Sequence, residues 1–302
     1  MSSLIPFFIV GCPRSGTTLL QGICMCAPHV HVASETHFFT RVPLNTQLYD
    51  PEIWSKVTQH LISVSQSEEM NTDQLEERFR QARRSPRGLY LAWLSALAAP
   101  YQAQWIGDPS NVNIKYIREL MSIFPEGKVI HILRDPRDVA YSQKSLWGVS
   151  VTRSAMQWKR AIQAHRLIQR SSFAHRYRLI RYEDLVCSPN PTIRELCNWM
   201  GWDFNSTMLT PHRRKNKGFA SRESHKEGTL KPMNTSRIGR YRTRLSPDEI
   251  SLVEGLCAPE LQEMGTPLLE PPKSIYLPRL LIEGAQMVAE QLGVRPKNTP
   301  NQ

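Results

Sequence analysis

The first apolar run of the chain, Ile5-Pro6-Phe7-Phe8-Ile9-Val10, is short, aromatic and β-branched, and reads as a buried strand. Gly11 and Gly16 follow, and then a helix-compatible stretch from Thr17 to Met25, stopped by Ala27-Pro28. This strand, loop, helix order recurs. Val30 to Ala33 predicts a second strand, Gln104 to Gly107 a third, Lys128 to Leu133 a fourth and Tyr177 to Tyr182 a fifth. Helical spacing fills the gaps: Trp54, Val57, Leu61 and Val64, then Leu75, Phe79 and the run from Leu89 to Ala99, then Tyr116 to Phe124, Trp158 to Ile168 and Pro191 to Met200. Near the end, Ser246-Pro247-Asp248-Glu249 is an N-cap with proline at the first helical position, opening a helix to about Cys257. Leu277 to Leu292 predicts a last helix.

Five strand candidates alternating with helices imply one α/β domain over residues 1–285, a three-layer sandwich with a central parallel sheet and helices on both faces. Residues 40–105 form a helical block within it, residues 205–244 a basic loop, and 286–302 a helix end and frayed tail. In such sheets ligands gather beyond the carboxyl ends of the strands. Three polar segments stand there: Ser34-Glu35-Thr36-His37, Asp108-Pro109-Ser110 and Arg134 onward.

The loop after the first strand adds chemistry. Gly11, four residues, Gly16 and two hydroxyl residues match a phosphate-binding loop, except that Thr17 stands where a nucleotide kinase has its lysine. Backbone N–H groups at a helix N-terminus still cradle an anion, but the clamp on a γ-phosphoryl group is missing. The fold is therefore expected to be P-loop-type, with an anion other than ATP on the loop.

Charge agrees with an anionic ligand. Among 302 residues, 38 Lys and Arg against 27 Asp and Glu leave a net charge of +11. No nucleic-acid-binding signature accompanies that excess, so no nucleic-acid partner is expected. No stretch reaches the roughly 18 consecutive apolar residues of a membrane span, and the N-terminus lacks the pattern of a secretory signal. A soluble cytoplasmic protein is the expectation, with its six cysteines reduced. No zinc-ligand spacing is present among them, and no metal is expected.

Gly11 to Thr18 together with Arg134-Asp135-Pro136-Arg137-Asp138-Val139-Ala140-Tyr141-Ser142 resembles the two nucleotide motifs of sulfotransferases that use 3′-phosphoadenosine 5′-phosphosulfate (PAPS), of the type that includes the tyrosylprotein sulfotransferases. The similarity extends over most of residues 5–265. The resemblance implies that Arg14, Ser15, Gly16, Thr17 and Thr18 hold the 5′-phosphosulfate, with Arg14 stabilising the transferring group. It implies that Arg134 and Ser142 grip the 3′-phosphate, while Arg137 and Asp138 cap and brace the helix. Ser236-Arg237-Ile238-Gly239-Arg240 resembles the segment that closes over the same phosphate, so Arg237, Gly239 and Arg240 join the nucleotide residues; a solvated basic loop is the other reading. Tyr182 resembles the adenine-side tyrosine and reads equally as a core tyrosine.

An acceptor hydroxyl must lose its proton as it attacks sulfur, so a base is required. Glu35, similar to the glutamate base of the tyrosylprotein sulfotransferases, is the candidate, and His37 is the reserve. His131, inside an apolar strand, is expected to be a hydrogen-bonded core residue. Many relatives carry a lysine just after the third strand. Here Ile106-Gly107-Asp108-Pro109 has none, and Lys115 lies further on. The expected products are a sulfate ester and adenosine 3′,5′-bisphosphate, the acceptor being a hydroxyl-bearing small molecule, sugar, lipid or peptide. A small-molecule kinase and a non-catalytic nucleotide-binding relative are the rival readings.

Overall fold

The computed structural model describes residues 4–42, 46, 48–65, 72–214 and 228–269. In chain order its elements are β1 (Ile5–Val10), α1 (Thr17–Cys24), β2 (Val30–Val32), α2 (Phe38–Arg41), α3 (Pro51–Ser65), α4 (Thr72–Gln81), α5 (Pro86–Ala98), β3 (Trp105–Asp108), α6 (Ile117–Ile123), β4 (Lys128–Leu133), α7 (Pro136–Trp147), α8 (Val151–Gln169), β5 (Tyr177–Arg181), α9 (Tyr182–Cys187), α10 (Pro189–Met200), α11 (Tyr241–Arg244) and α12 (Pro247–Glu263). The chain divides into two compact units, one drawn from residues 1–133 and 164–235, the other from 134–163 and from 236 onward.

The first unit holds the sheet. Its order among the described residues is β2-β3-β1-β4-β5, all parallel, which is the P-loop-type α/β architecture. β1 is central because its residues are apolar throughout: Phe7, Phe8, Ile9 and Val10 are all buried, as a strand covered on two faces requires. Phe8 pairs with Asp108 of β3, and Val10 with His131 of β4. Gly107 admits Phe7, whose ring would lie 2.6 Å from any Cβ there. The helical block contributes Trp54, Leu61, Leu75, Phe79, Leu89, Tyr90 and Trp93 to a core shared with Phe8, Phe38 and Phe124. Tyr90 lies against Phe8, Phe38, Phe39 and Phe124 in tilted, stacked and edge contacts.

His131 is fully buried in β4. Its Nδ1 is 2.6 Å from the Tyr177 hydroxyl, which is also 3.0 Å from Nδ1 of His165, while its Nε2 has no hydrogen-bond partner among the described residues. Burying an unmet acceptor costs less than burying an unmet N–H. The favoured tautomer therefore puts the proton on Nδ1, donating to Tyr177, whose own hydroxyl proton goes to His165. Burial, then the neighbouring His165, pushes the His131 pKa down to about 3.

In the second unit, α7 begins where its sequence dictates. The Asp135 carboxylate accepts from the Arg137 N–H (2.9 Å), Pro136 occupies the first turn, and Gly148 ends the helix in a left-handed conformation (φ 65°). α12 carries the full capping box, with Ser246 accepting from Glu249 N and Glu249 accepting from Ser246 N.

Several boundaries differ from the sequence reading. The third strand runs Trp105–Asp108, one residue later than expected, since the ladder with β1 continues to Asp108. β5 ends at Arg181 and Tyr182 opens a helix. Residues 111–116 coil as a 3-10 turn before α6. α12 continues past Cys257 to Glu263 with Pro259 inside it, because Glu260 and Leu261 stay buried on its inner face. The α8 helix starts at Val151, α10 at Pro189, and β2 stops at Val32. Of the basic loop, residues 215–227 lie outside the described part, as do the expected helix at Leu277 to Leu292 and the tail. No described helix is long and apolar enough to cross a membrane.

Candidate functional site

Between β1 and α1 the chain makes a tight turn in which Ser15 N–H donates to the Cys12 carbonyl (3.0 Å). Arg14 (φ 76°) and Gly16 (φ 106°) are both left-handed. For arginine that conformation costs about 1–2 kcal/mol, strain of the kind that collects at ligand sites. Gly16 is obligatory on two counts. Its φ favours glycine, and any Cβ would stand 2.6 Å from the Tyr182 ring, which lies on the loop, and 3.2 Å from Ile132. Gly11 permits an equally close approach, 2.6 Å from the Ile132 carbonyl oxygen.

The N-terminus of α1 is open in an electrostatic sense. Gly16 supplies no side-chain cap and the first turn carries no acid, so the first N–H groups of the helix are met by no residue of their own helix. Ser15 is fully buried, and its hydroxyl has no hydrogen-bond partner among the described residues. Thr17 is buried beside it and Thr18 half-buried. A concave backbone, the positive end of a helix and an unmet buried hydroxyl together fit a phosphate or sulfate group.

At the end of β2, Glu35 is half-buried and its carboxylate lies 3.5 Å from Nε2 of His37, which is more exposed. His37 is itself left-handed (φ 49°) and precedes α2. The end of β3 is different in kind: Asp108 is fully buried and accepts from Thr36 Oγ1 (2.6 Å), Ser110 N (2.9 Å), Ser110 Oγ (2.5 Å), Asn113 Nδ2 (3.0 Å) and the Tyr90 hydroxyl. Lys115 is exposed on the 3-10 turn that follows.

The second unit brings together Arg134, Asp138, Arg237, Gly239 and Arg240. Arg134 follows β4 directly and is nearly buried. Its Nη2 donates to the Arg237 carbonyl and lies 3.7 Å from Asp138, and its own carbonyl accepts from Trp158 Nε1 (2.7 Å). Asp138, fully buried, accepts from the N–H groups of Gly239 (2.7 Å) and Tyr241 (3.1 Å). Burial raises its pKa, an effect that Arg134 and those two N–H groups oppose. Arg240 stacks its guanidinium over Tyr141 at 5.2 Å. Ser142 stands four residues beyond Asp138 on α7, hence on the same helical face.

One expectation is corrected here and another extended. The cap of α7 is Asp135, whereas Asp138 reaches across the sequence to the 239–241 backbone. Arg137 does brace its own helix, bonding its cap Asp135 (2.6 Å), and it also reaches further, bonding Glu254 (2.5 Å) and stacking 4.4 Å over Tyr241. Burial opposes its charge, yet Asp135 and Glu254 outweigh that and raise its pKa. Asp108 went unread as a functional position. The only sequence signal was an acid at a strand end before proline, which also describes an ordinary loop.

Comparison with known proteins converges on one family. The sequence profile described as "Sulfotransferase family" matches residues 6–206. Protein-tyrosine sulfotransferase 1 of Danio rerio is 24% identical over 277 residues, covering 88% of this chain and 73% of that one. The Homo sapiens protein of the same name is 24% identical over 277 residues, covering 88% and 70%. Among solved structures, the sulfotransferase domain of the Synechococcus olefin synthase superposes with a TM-score of 0.58 at 20% identity, covering 84% of this chain and 95% of that one. The sulfotransferase domain from the curacin biosynthetic pathway gives 0.53 at 19% identity, covering 98% and 99%. These likenesses are of fold. With the profile matching about two thirds of its length, the chain belongs to the sulfotransferase family and is an enzyme of sulfuryl transfer.

Proposed function

We propose that the chain transfers the sulfuryl group of PAPS to an acceptor hydroxyl, releasing a sulfate ester and adenosine 3′,5′-bisphosphate. The observation that carries this reading is the loop from Gly11 to Thr18, where the buried Ser15 hydroxyl has no partner among the described residues and the uncapped start of α1 is ready for an anion. In this reading the loop N–H groups and the Ser15, Thr17 and Thr18 hydroxyls hold the 5′-phosphosulfate. Arg14 places its charge near the bridging oxygen, where charge develops as the sulfuryl group leaves. Glu35 takes the proton of the acceptor hydroxyl, and His37, 3.5 Å away, orients the carboxylate. Arg134, Ser142, Arg237 and Arg240 recognise the 3′-phosphate, with Gly239 (φ 71°) allowing the turn between the two arginines. Tyr182 acts on the loop itself through its packing against Gly16. Thr17 in place of a lysine suits a group that carries less charge than a γ-phosphoryl.

Thermal shift with PAPS, adenosine 3′,5′-bisphosphate, ATP and AMP tests the assignment. A ligand at one hundred times its Kd stabilises by about 2.7 kcal/mol. Stabilisation by the two 3′-phosphorylated nucleotides, lost in Arg134→Ala, is expected. Equal stabilisation by ATP would count against it.

A further inference from the structure

Asp108 has no part in the chemistry described so far, yet it is fully buried at the end of β3. A carboxylate out of water is costly unless its lone pairs are met. Here they are met by neutral donors from three places in the chain. Thr36 comes from the segment after β2, Tyr90 from α5, and Ser110 and Asn113 from the turn after β3. Every one of these groups donates, so the centre must be a group that only accepts.

The donors are themselves used a second time. Thr36 Oγ1 accepts from the Phe38 N–H (3.2 Å), and Ser110 Oγ accepts from the His37 N–H (2.9 Å). Arg41 donates to the Thr36 carbonyl. Three consecutive residues after Glu35 are thus fixed through side chains that Asp108 holds, including His37 in its left-handed conformation. Among the described residues the strand ladder ends with Ala33 N–H to Gly107 O (2.9 Å), and the backbone bonds of α2 begin at the His37 carbonyl, which accepts from Thr40 N–H (3.0 Å), so the side chains on Asp108 span the stretch between them.

From this juxtaposition we infer that Asp108 is a positioning residue for sulfuryl transfer. It sets the backbone from Thr36 to Phe38 and thereby fixes the Glu35 carboxylate and its His37 partner, while Tyr90 ties that setting to the helical block. The inference rests on the reading of Glu35 as the base.

Thr36→Val keeps the shape of the side chain and removes its hydroxyl, and Thr36→Ser restores the hydroxyl. Tyr90→Phe removes one donor to Asp108 and keeps the ring in its core. Turnover from labelled PAPS is measured on a panel of phenols, sugars and aliphatic alcohols, using the acceptor that the unaltered protein sulfates fastest; Kd for adenosine 3′,5′-bisphosphate is measured alongside. A displacement of a reacting group by about 1 Å costs on the order of a hundredfold in rate. The expected result is a fall in kcat of about 10- to 100-fold in Thr36→Val, a smaller fall in Tyr90→Phe, an unchanged nucleotide Kd in both, and recovery in Thr36→Ser. Unchanged kcat in Thr36→Val, or a loss of nucleotide affinity that matches the loss of kcat, overturns the inference. Full activity in Glu35→Gln would instead sink the reading of the base, and with it the reason for positioning it. An unaltered protein that sulfates nothing in the panel overturns both.

Discussion

Two buried histidines should make the first unit acid-labile, with a slope that can be worked out in advance. His131 has its pKa pushed down to about 3 by burial and by His165, and burial pushes His31, stacked on Tyr101 at 3.8 Å, down to about 4. In the unfolded chain both titrate near the ordinary value of about 6.5. The unfolded state therefore binds more protons than the folded one below that value. The stabilisation is complete above about pH 6.5 and is lost as pH falls through the window towards each folded pKa. For either histidine the loss by about pH 5 comes to about 2 kcal/mol, and over the whole His131 window to about 5 kcal/mol. His131→Gln keeps a polar group within reach of Tyr177 but cannot titrate. Urea unfolding of the protein and the variant, followed at pH values from about 7.5 to 4.5, gives the difference in stability at each pH. That difference should shift by about 2 kcal/mol in favour of the variant between about pH 7.5 and 5, which is on the order of 1 M in urea midpoint. Curves that stay parallel over this range would show that His131 takes up its proton as readily folded as unfolded, and would refute the reasoning.

Other perturbations test the loop and the brace of α7. Gly16→Ala puts a Cβ at φ 106° and 2.6 Å from Tyr182, a combination worth about 2–4 kcal/mol, and should abolish the thermal shift with adenosine 3′,5′-bisphosphate. Adding Tyr182→Ala removes the clash but not the backbone strain, so part of the shift should return; no recovery at all would assign the defect to backbone conformation alone. Arg137→Met removes the guanidinium 2.5 Å from Glu254, 1% exposed, and should lower stability by about 3–5 kcal/mol. Circular dichroism melts should recover much of that loss in Arg137→Met with Glu254→Gln, and a single-variant loss under about 1 kcal/mol would contradict the buried pair.

The parts of this protein that sequence reading reached are those in which local pattern and tertiary role coincide. β1 is apolar along its whole length, β4 is apolar apart from Lys128 and His131, and both lie inside the sheet, so run length and composition suffice. Glycine at 16 is forced by a backbone angle and a neighbouring ring, and the spacing of the loop announces it. His131 reads as a core residue because its neighbours in β4 are apolar. What stayed hidden depends on partners far away in the chain. Thr36 meets Asp108 across 72 residues, Asp138 meets Gly239 across 101, and Arg137 meets Glu254 across 117. An acid in the first turn of a helix has a local explanation, favourable interaction with the helix dipole, and that explanation masked the long-range one for Asp138. Strand ends moved by a residue for the same reason, since the ladder with β1 sets where β3 stops.

The two hidden carboxylates share a physical logic. The segments 34–38 and 236–241 carry residues expected to act on substrate, and neither is a regular strand or a long helix. Such a segment has N–H and hydroxyl donors that no ladder satisfies, and left to water it would sample many conformations. A buried aspartate resolves both difficulties together. Asp108 gathers side-chain hydroxyls and an amide around the 34–38 segment, and Asp138 gathers the Gly239 and Tyr241 N–H groups of the other. Hydrogen bonds to a charged acceptor contribute about 1.5–3 kcal/mol each, enough to select one conformation of a short segment. The same carboxylate fixes what can be recognised nearby. Arg134 turns its Nη2 to Asp138 and to the Arg237 carbonyl, so the guanidinium is held in place by the fold, and for the 3′-phosphate we propose it binds, the ordering cost falls on folding instead of on binding.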